Sequence, residues 1–144
     1  MDDSIYLTAL ERAVMEMLLA GDHPVLAVLR AQFDRAKVAQ SEFSGVGFFT
    51  HFEVPPDVPR LRGRKSFELG DVHADIPGLS VGVGFILFIR EGAIDFLEGF
   101  TYGDDRWPDK IEQYTLCYEK NIGGTVVPAA ERDWESLRKK LEEL

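Results

Sequence analysis

Asp71, His73 and Asp75 alternate with Val72, Ala74 and Ile76 along one short segment. Imidazole and carboxylate are the groups that bind divalent metals and that move protons in acid–base catalysis. On a strand the three would share one side, each about 6–7 Å from the next. That is a long reach for two ligands of one zinc ion. The sequence also lacks His-Glu-x-x-His and paired Cys-x-x-Cys signatures. The segment therefore reads as a solvated strand face, with His73 as a candidate general base. No metal site and no cofactor are expected.

His51 is the second candidate base. It lies with Glu53 on the polar side of its own alternating segment, and the sequence leaves open whether Glu42 or Glu98 is its partner. Cys117, in Thr-Leu-Cys-Tyr-Glu, is the only cysteine. With no Cys/His signature around it, it reads as a small buried hydrophobe rather than a nucleophile. Gly82-Val-Gly84 is followed neither by a third glycine at dinucleotide spacing nor by a helix, so it is no Rossmann loop. No Gly-x-Ser-x-Gly elbow and no P-loop occur. Arg60, Arg62, Arg64 and Lys65 form the one basic cluster, which suits an anionic partner or, more simply, a solvated loop. Tyr102-Gly-Asp-Asp-Arg-Trp107-Pro brings two aromatics and two acids to one turn. It could form a ligand-binding rim, or Trp107 could simply close the edge of the core.

The elements that must position these residues are marked by periodicity. Thr8-x-x-Glu11 is a capping box, and Leu10, Val14, Met17 and Leu18 follow at helical spacing. Gly21 stops that helix. Asp22 is the expected cap of a second, with Pro24 in its first turn and Val25, Leu26, Leu29 and Phe33 as its stripe. After about Ala36 the period changes to two. Strands are expected over 38–43, 46–54, 69–76, 79–90, 93–102 and 111–119, with Pro55, Pro56 and Pro59 ending the second. Residues 128–144 read as a closing helix, with Trp134, Leu137 and Leu141 on one stripe. Helices bracketing a run of strands predict one α+β domain over 1–144: an N-terminal helical hairpin, an antiparallel sheet of five or six strands, and a C-terminal helix.

Glu91-Gly92 is a natural two-residue turn between residues 81–90 and 93–102. Counting outward from it places Val81, Val83, Phe85, Leu87 and Ile89 on one face, with Glu98 opposite Phe85. A carboxylate on so apolar a face must be paired, hydrogen-bonded or neutral. Glu98 is therefore the third catalytic candidate, or else a structural hydrogen-bonding group whose replacement by leucine destabilises the fold. The same register gathers Gly82, Gly84 and Gly99 on the other face. They would leave a shallow depression there, open to a packed helix or to a small ligand.

The 144 residues carry a net charge of −9, with 45% hydrophobic residues. That field repels phosphate backbones and anionic lipid surfaces, so neither nucleic acid nor membrane is an expected partner. The opening MDDSIYLTAL has no basic leader region, and one cysteine allows no internal disulfide; both suit the cytoplasm. Phe49 falls on the polar side of its strand, which favours a homodimer among possible assemblies. The segments FSGVGFFTHFEVP, residues 43–55, and GFILFIREGAIDFLEGFTYGDDRWP, residues 84–108, resemble a pattern in short bacterial proteins with no activity attached to them. The resemblance covers under half the chain. It implies a bacterial cytoplasmic protein and supplies no site residues. The leading expectation is a non-enzymatic module binding a small molecule or a protein. The alternative is a small hydrolase using Glu98 with a histidine.

Overall fold

Thr8 starts the first helix, α1 (Ala9–Leu18), in the computed structural model, which describes residues 7–144. The Thr8 hydroxyl accepts from the Glu11 amide at 3.1 Å, and the Glu11 carboxylate accepts from the Thr8 amide at 3.0 Å. This reciprocal pair satisfies two orphan donors of the first turn. The second helix, α2 (Pro24–Arg35), is capped by His23 rather than by Asp22: the His23 Nδ1 accepts from the Val25 amide at 3.1 Å. Pro24 takes the first helical position, which puts the residue just before it at the cap.

Seven strands follow: β1 (Lys37–Phe43), β2 (Gly47–Glu53), β3 (Phe67–Asp75), β4 (Val83–Arg90), β5 (Ala93–Thr101), β6 (Thr115–Ile122) and β7 (Thr125–Ala129). They form a single antiparallel sheet in the order β1-β2-β5-β4-β3-β6-β7, and the third helix, α3 (Trp134–Glu142), closes the chain. The fold is α+β, with one strand more than the five or six expected. The extra strand is β7, whose Thr-Val-Val-Pro-Ala is short and carries Pro128. Proline is tolerated because β7 is an edge strand. Among the described residues no helix is long and apolar enough to cross a membrane.

The first two helices cover one side of the sheet, and α3 flanks β3. Val83, Phe85, Leu87 and Ile89 of β4, with Ile94 and Leu97 of β5, are buried in one cluster with Leu10, Val14, Met15, Leu18, Leu26 and Leu29 of the first two helices. Gln32 of α2 is fully buried and clasps the β4–β5 turn. Its amide nitrogen donates to the Gly92 and Pro59 carbonyls at 2.9 and 3.0 Å, and its oxygen accepts from the Ile94 amide at 3.0 Å. The turn is the expected Glu91-Gly92 pair, both at positive φ (52° and 79°).

Arg132 ties the last segment to the first. Its side chain is 7% exposed, and the guanidinium meets both carboxylate oxygens of Asp71 at 2.7 and 2.9 Å. It also donates to the carbonyls of Met17, Leu18 and Ala20 at 3.1, 2.9 and 2.7 Å. Those carbonyls end α1, where the helix has no basic residue of its own in the last turn. Arg132→Ala leaves Asp71 without its cation and the three carbonyls without this donor. The expected loss is about 3–5 kcal/mol by denaturant unfolding. Arg132→Lys should recover little of it, because an ammonium cannot reproduce the planar fork. A loss under 1 kcal/mol in the alanine variant would show that the hub is dispensable.

Candidate functional site

The β4–β5 hairpin starts in the expected register, with Arg90 opposite Ala93 and Ile89 opposite Ile94. It then slips by one residue: Phe88 faces Phe96, and Asp95 is extra. Such a bulge moves every later side chain on that strand to the other face. Phe85 consequently lies opposite Gly99, and Glu98 lies opposite Ile86 on the side away from α1 and α2. Glu98 is therefore not on the apolar inner face. It stands half-buried between Phe49 of β2 and Ile86 of β4, with Phe96 and Phe100 before and after it on its own strand.

This free face is rich in rings. Phe88 stacks on Phe96 with centroids 4.4 Å apart, and Phe49 meets Phe96 edge-on at 6.0 Å. Farther along β5, Phe100 meets Tyr102 edge-on at 5.4 Å. Glu98 sits on β5 between these two groups. Burial, and then the charge of Glu68, hold its carboxyl above the usual range. Among the described residues no hydrogen bond or ion pair engages its carboxylate, so it is joined to neither candidate histidine.

Each histidine has its own acids instead. His51 Nε2 lies 2.8 Å from Glu42 on β1. His73 is held at both nitrogens, Nε2 by Asp75 at 3.0 Å and Nδ1 by Glu119 at 3.3 Å. Tyr102 stacks on the His73 ring at 5.8 Å and donates its hydroxyl to Glu119 at 2.9 Å. Burial and the Glu119 carboxylate push the Tyr102 phenol far above its ordinary value. Cys117 is the cross-strand neighbour of His73, and burial followed by the charges of Asp75 and Glu119 raises its thiol. Both ring nitrogens of His73 meet carboxylates, and among the described residues no hydrogen bond joins the ring to the Cys117 thiol. Asp71 has left this group. A bulge in β3 between Leu69 and Val72 separates it from the strand face, and its carboxylate goes to Arg132. Among the described residues no group of three or more His, Cys, Asp or Glu side chains is placed to hold a metal ion.

The three glycines do not make one depression. Gly84 lies on the free face, but the space over it is filled by Phe100 and the Tyr102 hydroxyl. The bulge puts Gly99 on the inner face beneath Phe48, and Gly82, at φ 92°, packs against the His73 ring. Tyr102 and Trp107 likewise do not share a rim. Trp107 is on the helix side, 5.0 Å from Phe48 and 6.4 Å from Phe85. There it borders a cleft of about 350 Å³ with Phe43, Tyr114 and Glu11, whose carboxylate accepts from the Thr50 hydroxyl. Arg60 is spent on its own loop, donating to the Val54, Pro55 and Val58 carbonyls at 2.6–2.9 Å. The hub residue Arg132 went unnoticed in the sequence; an arginine between Glu131 and Asp133 carries no local sign of burial. The chain matches no family model, no curated protein and no solved structure with which it was compared.

Since Glu98 has no partner to lose, Glu98→Leu should stabilise the fold, the reverse of the expectation from sequence. The gain is roughly 0.2–1 kcal/mol from new apolar cross-strand pairs with Phe49 and Ile86. A carboxyl raised in the folded state contributes stability at acid pH that is lost as pH rises through its folded pKa. Glu98→Gln should therefore match the parent below about pH 4 and exceed it in melting temperature at pH 7. Equal melting temperatures at both pH values would show that Glu98 is indifferent to its surroundings. Cys117, with its raised thiol, should alkylate with iodoacetamide more slowly than glutathione at pH 8, and Asp75→Asn should speed it. Reaction at the glutathione rate would remove the electrostatic account of this thiol.

Proposed function

We propose that the chain is a non-enzymatic interaction module that engages a partner protein through the face of its sheet opposite α1 and α2. The observation that carries this reading is the half-buried group of Phe49, Phe88, Phe96 and Phe100, with Ile86 at its border toward α3, on the side of the sheet opposite α1 and α2. A contiguous apolar surface rimmed by polar groups is the usual mark of a protein contact. The hydrolase alternative needs Glu98 beside a histidine, whereas His51 lies against Glu42 and His73 against Asp75 and Glu119. The raised Cys117 thiol speaks against a cysteine nucleophile as well. Carboxylates on this face, in a chain of net charge −9, weigh against a nucleic acid stacking on its rings.

Site-specific photo-crosslinking in cells that produce the protein tests the reading. Benzoylphenylalanine at Phe88 or Phe96 should give light-dependent adducts heavier than the 16.2 kDa chain. The same group at Arg35 of α2 or Glu142 of α3 should give none. No adducts from the face, or equal adducts from both sides, would overturn it.

A further inference from the structure

We infer that the partner taken by this face is basic: a segment whose apolar side chain packs on the phenylalanines while a lysine or arginine cation lies between Glu98 and Glu68. The inference rests on the proposed role of the face and adds the chemistry of its occupant. Glu98 is opposite Ile86 on β4, and Glu68 of β3 is opposite Phe88, so the two acids are diagonal neighbours across β4. Neither carboxylate has a counter-ion among the described residues. Lys140 of α3 reaches Glu68 but bonds its backbone carbonyl, on the stretch of β3 that β6 leaves unpaired.

The neighbouring acids on the face have partners: Asp95 pairs with Arg90 at 3.3 Å, Glu42 lies against the His51 ring, and Asp75 and Glu119 lie against the His73 ring. Glu98 and Glu68 have neither a cation nor a histidine on their carboxylates among the described residues; they are like charges set among rings, and the repulsion is felt, since the Glu68 charge helps to raise the Glu98 carboxyl. A cation inserted there would relieve it and gain the attraction of ring faces. The molecule already contains that arrangement once: the Arg90 guanidinium lies 5.4 Å over the Phe96 ring while pairing with Asp95. A second copy of this chain is the poorer occupant, because a two-fold contact would bring four unmatched carboxylates toward one interface. Anionic lipid and nucleic acid are repelled by the same pair.

The test uses the whole chain and two synthetic heptapeptides, one alternating lysine with phenylalanine and one alternating glutamate with phenylalanine. Binding is measured by calorimetry and placed on the sheet by amide chemical shifts. The lysine peptide should bind, perturbing β4 and β5 more than the edge strands, and the glutamate peptide should not. Glu98→Gln with Glu68→Gln should weaken binding about tenfold, equivalent to about 1.4 kcal/mol, without lowering the melting temperature. Phe96→Ala should weaken it as well. Equal binding of both peptides, lost in Phe96→Ala but unmoved by the glutamine variants, would overturn the basic partner and leave the face as a docking surface. No binding of the lysine peptide to the face would also overturn it, and the crosslinking result then judges the face separately. A particle of twice the chain mass by light scattering, returned to 16.2 kDa by Phe96→Ala, would name a second copy as the occupant and overturn the inference.

Discussion

Arg132 is the point at which the parts of this fold meet. One guanidinium, lying 5.4 Å over the Tyr118 ring of β6, holds the Asp71 carboxylate of β3 and the closing carbonyls of α1. A buried cation is costly unless its donors are used, and here a carboxylate and three carbonyls accept them. Tyr118 adds its own hydroxyl to the Met17 carbonyl at 2.9 Å. The end of α1, the bulge of β3 and the approach to α3 are thereby fixed together. Gln32 does the same at the far end, joining α2 to the β4–β5 turn and the loop at Pro59.

With both clasps on one side, the sheet has two unlike faces. The inner one is apolar, with Phe48, Phe52 and Phe85 among its aliphatic side chains, and is closed by α1 and α2. The outer one is aromatic and acidic, and α3 borders it only beside Glu68 and Ile86. The division depends on two bulges. The one in β3 withdraws Asp71 to Arg132, so that His73, Asp75 and Glu119 form a self-satisfied group under Tyr102. The one at Asp95 exchanges Gly99 for Glu98. Glycine then faces inward, where the Phe48 ring needs the room, and the carboxylate faces outward, where water reaches it. In a continuous register Glu98 would be buried against Phe85 and the Phe48 ring would have no space. The bulge resolves both conflicts with one inserted residue.

The local signals of this chain were legible. The Thr8–Glu11 capping box, the proline stop after β2, the Glu91-Gly92 turn and the inward set of β4 depend on residues within a few positions of one another, so periodicity and turn chemistry suffice to find them. The cap of α2 was missed by one residue because His23, less usual than Asp22 at such a site, offered Nδ1 as the acceptor. Strand β7 was missed because five residues ending near a proline gain their strand character only from pairing with β6.

By itself, the sequence determined the α+β class, the order of the three helices and of six of the seven strands, the central hairpin and the acidic field. These follow from composition and from spacings shorter than an element. The tertiary structure alone decided which face carries Glu98, which acid Arg132 takes, and which side of the sheet α1 and α2 cover. A bulge shifts register by one residue, and whether it forms depends on what must pack on each side: here Phe48 above Gly99 and Arg132 beside Asp71, partners 51 and 61 residues apart in the chain. No pattern along the chain encodes a choice made between residues so distant, and the face proposed to bind a partner rests on that choice.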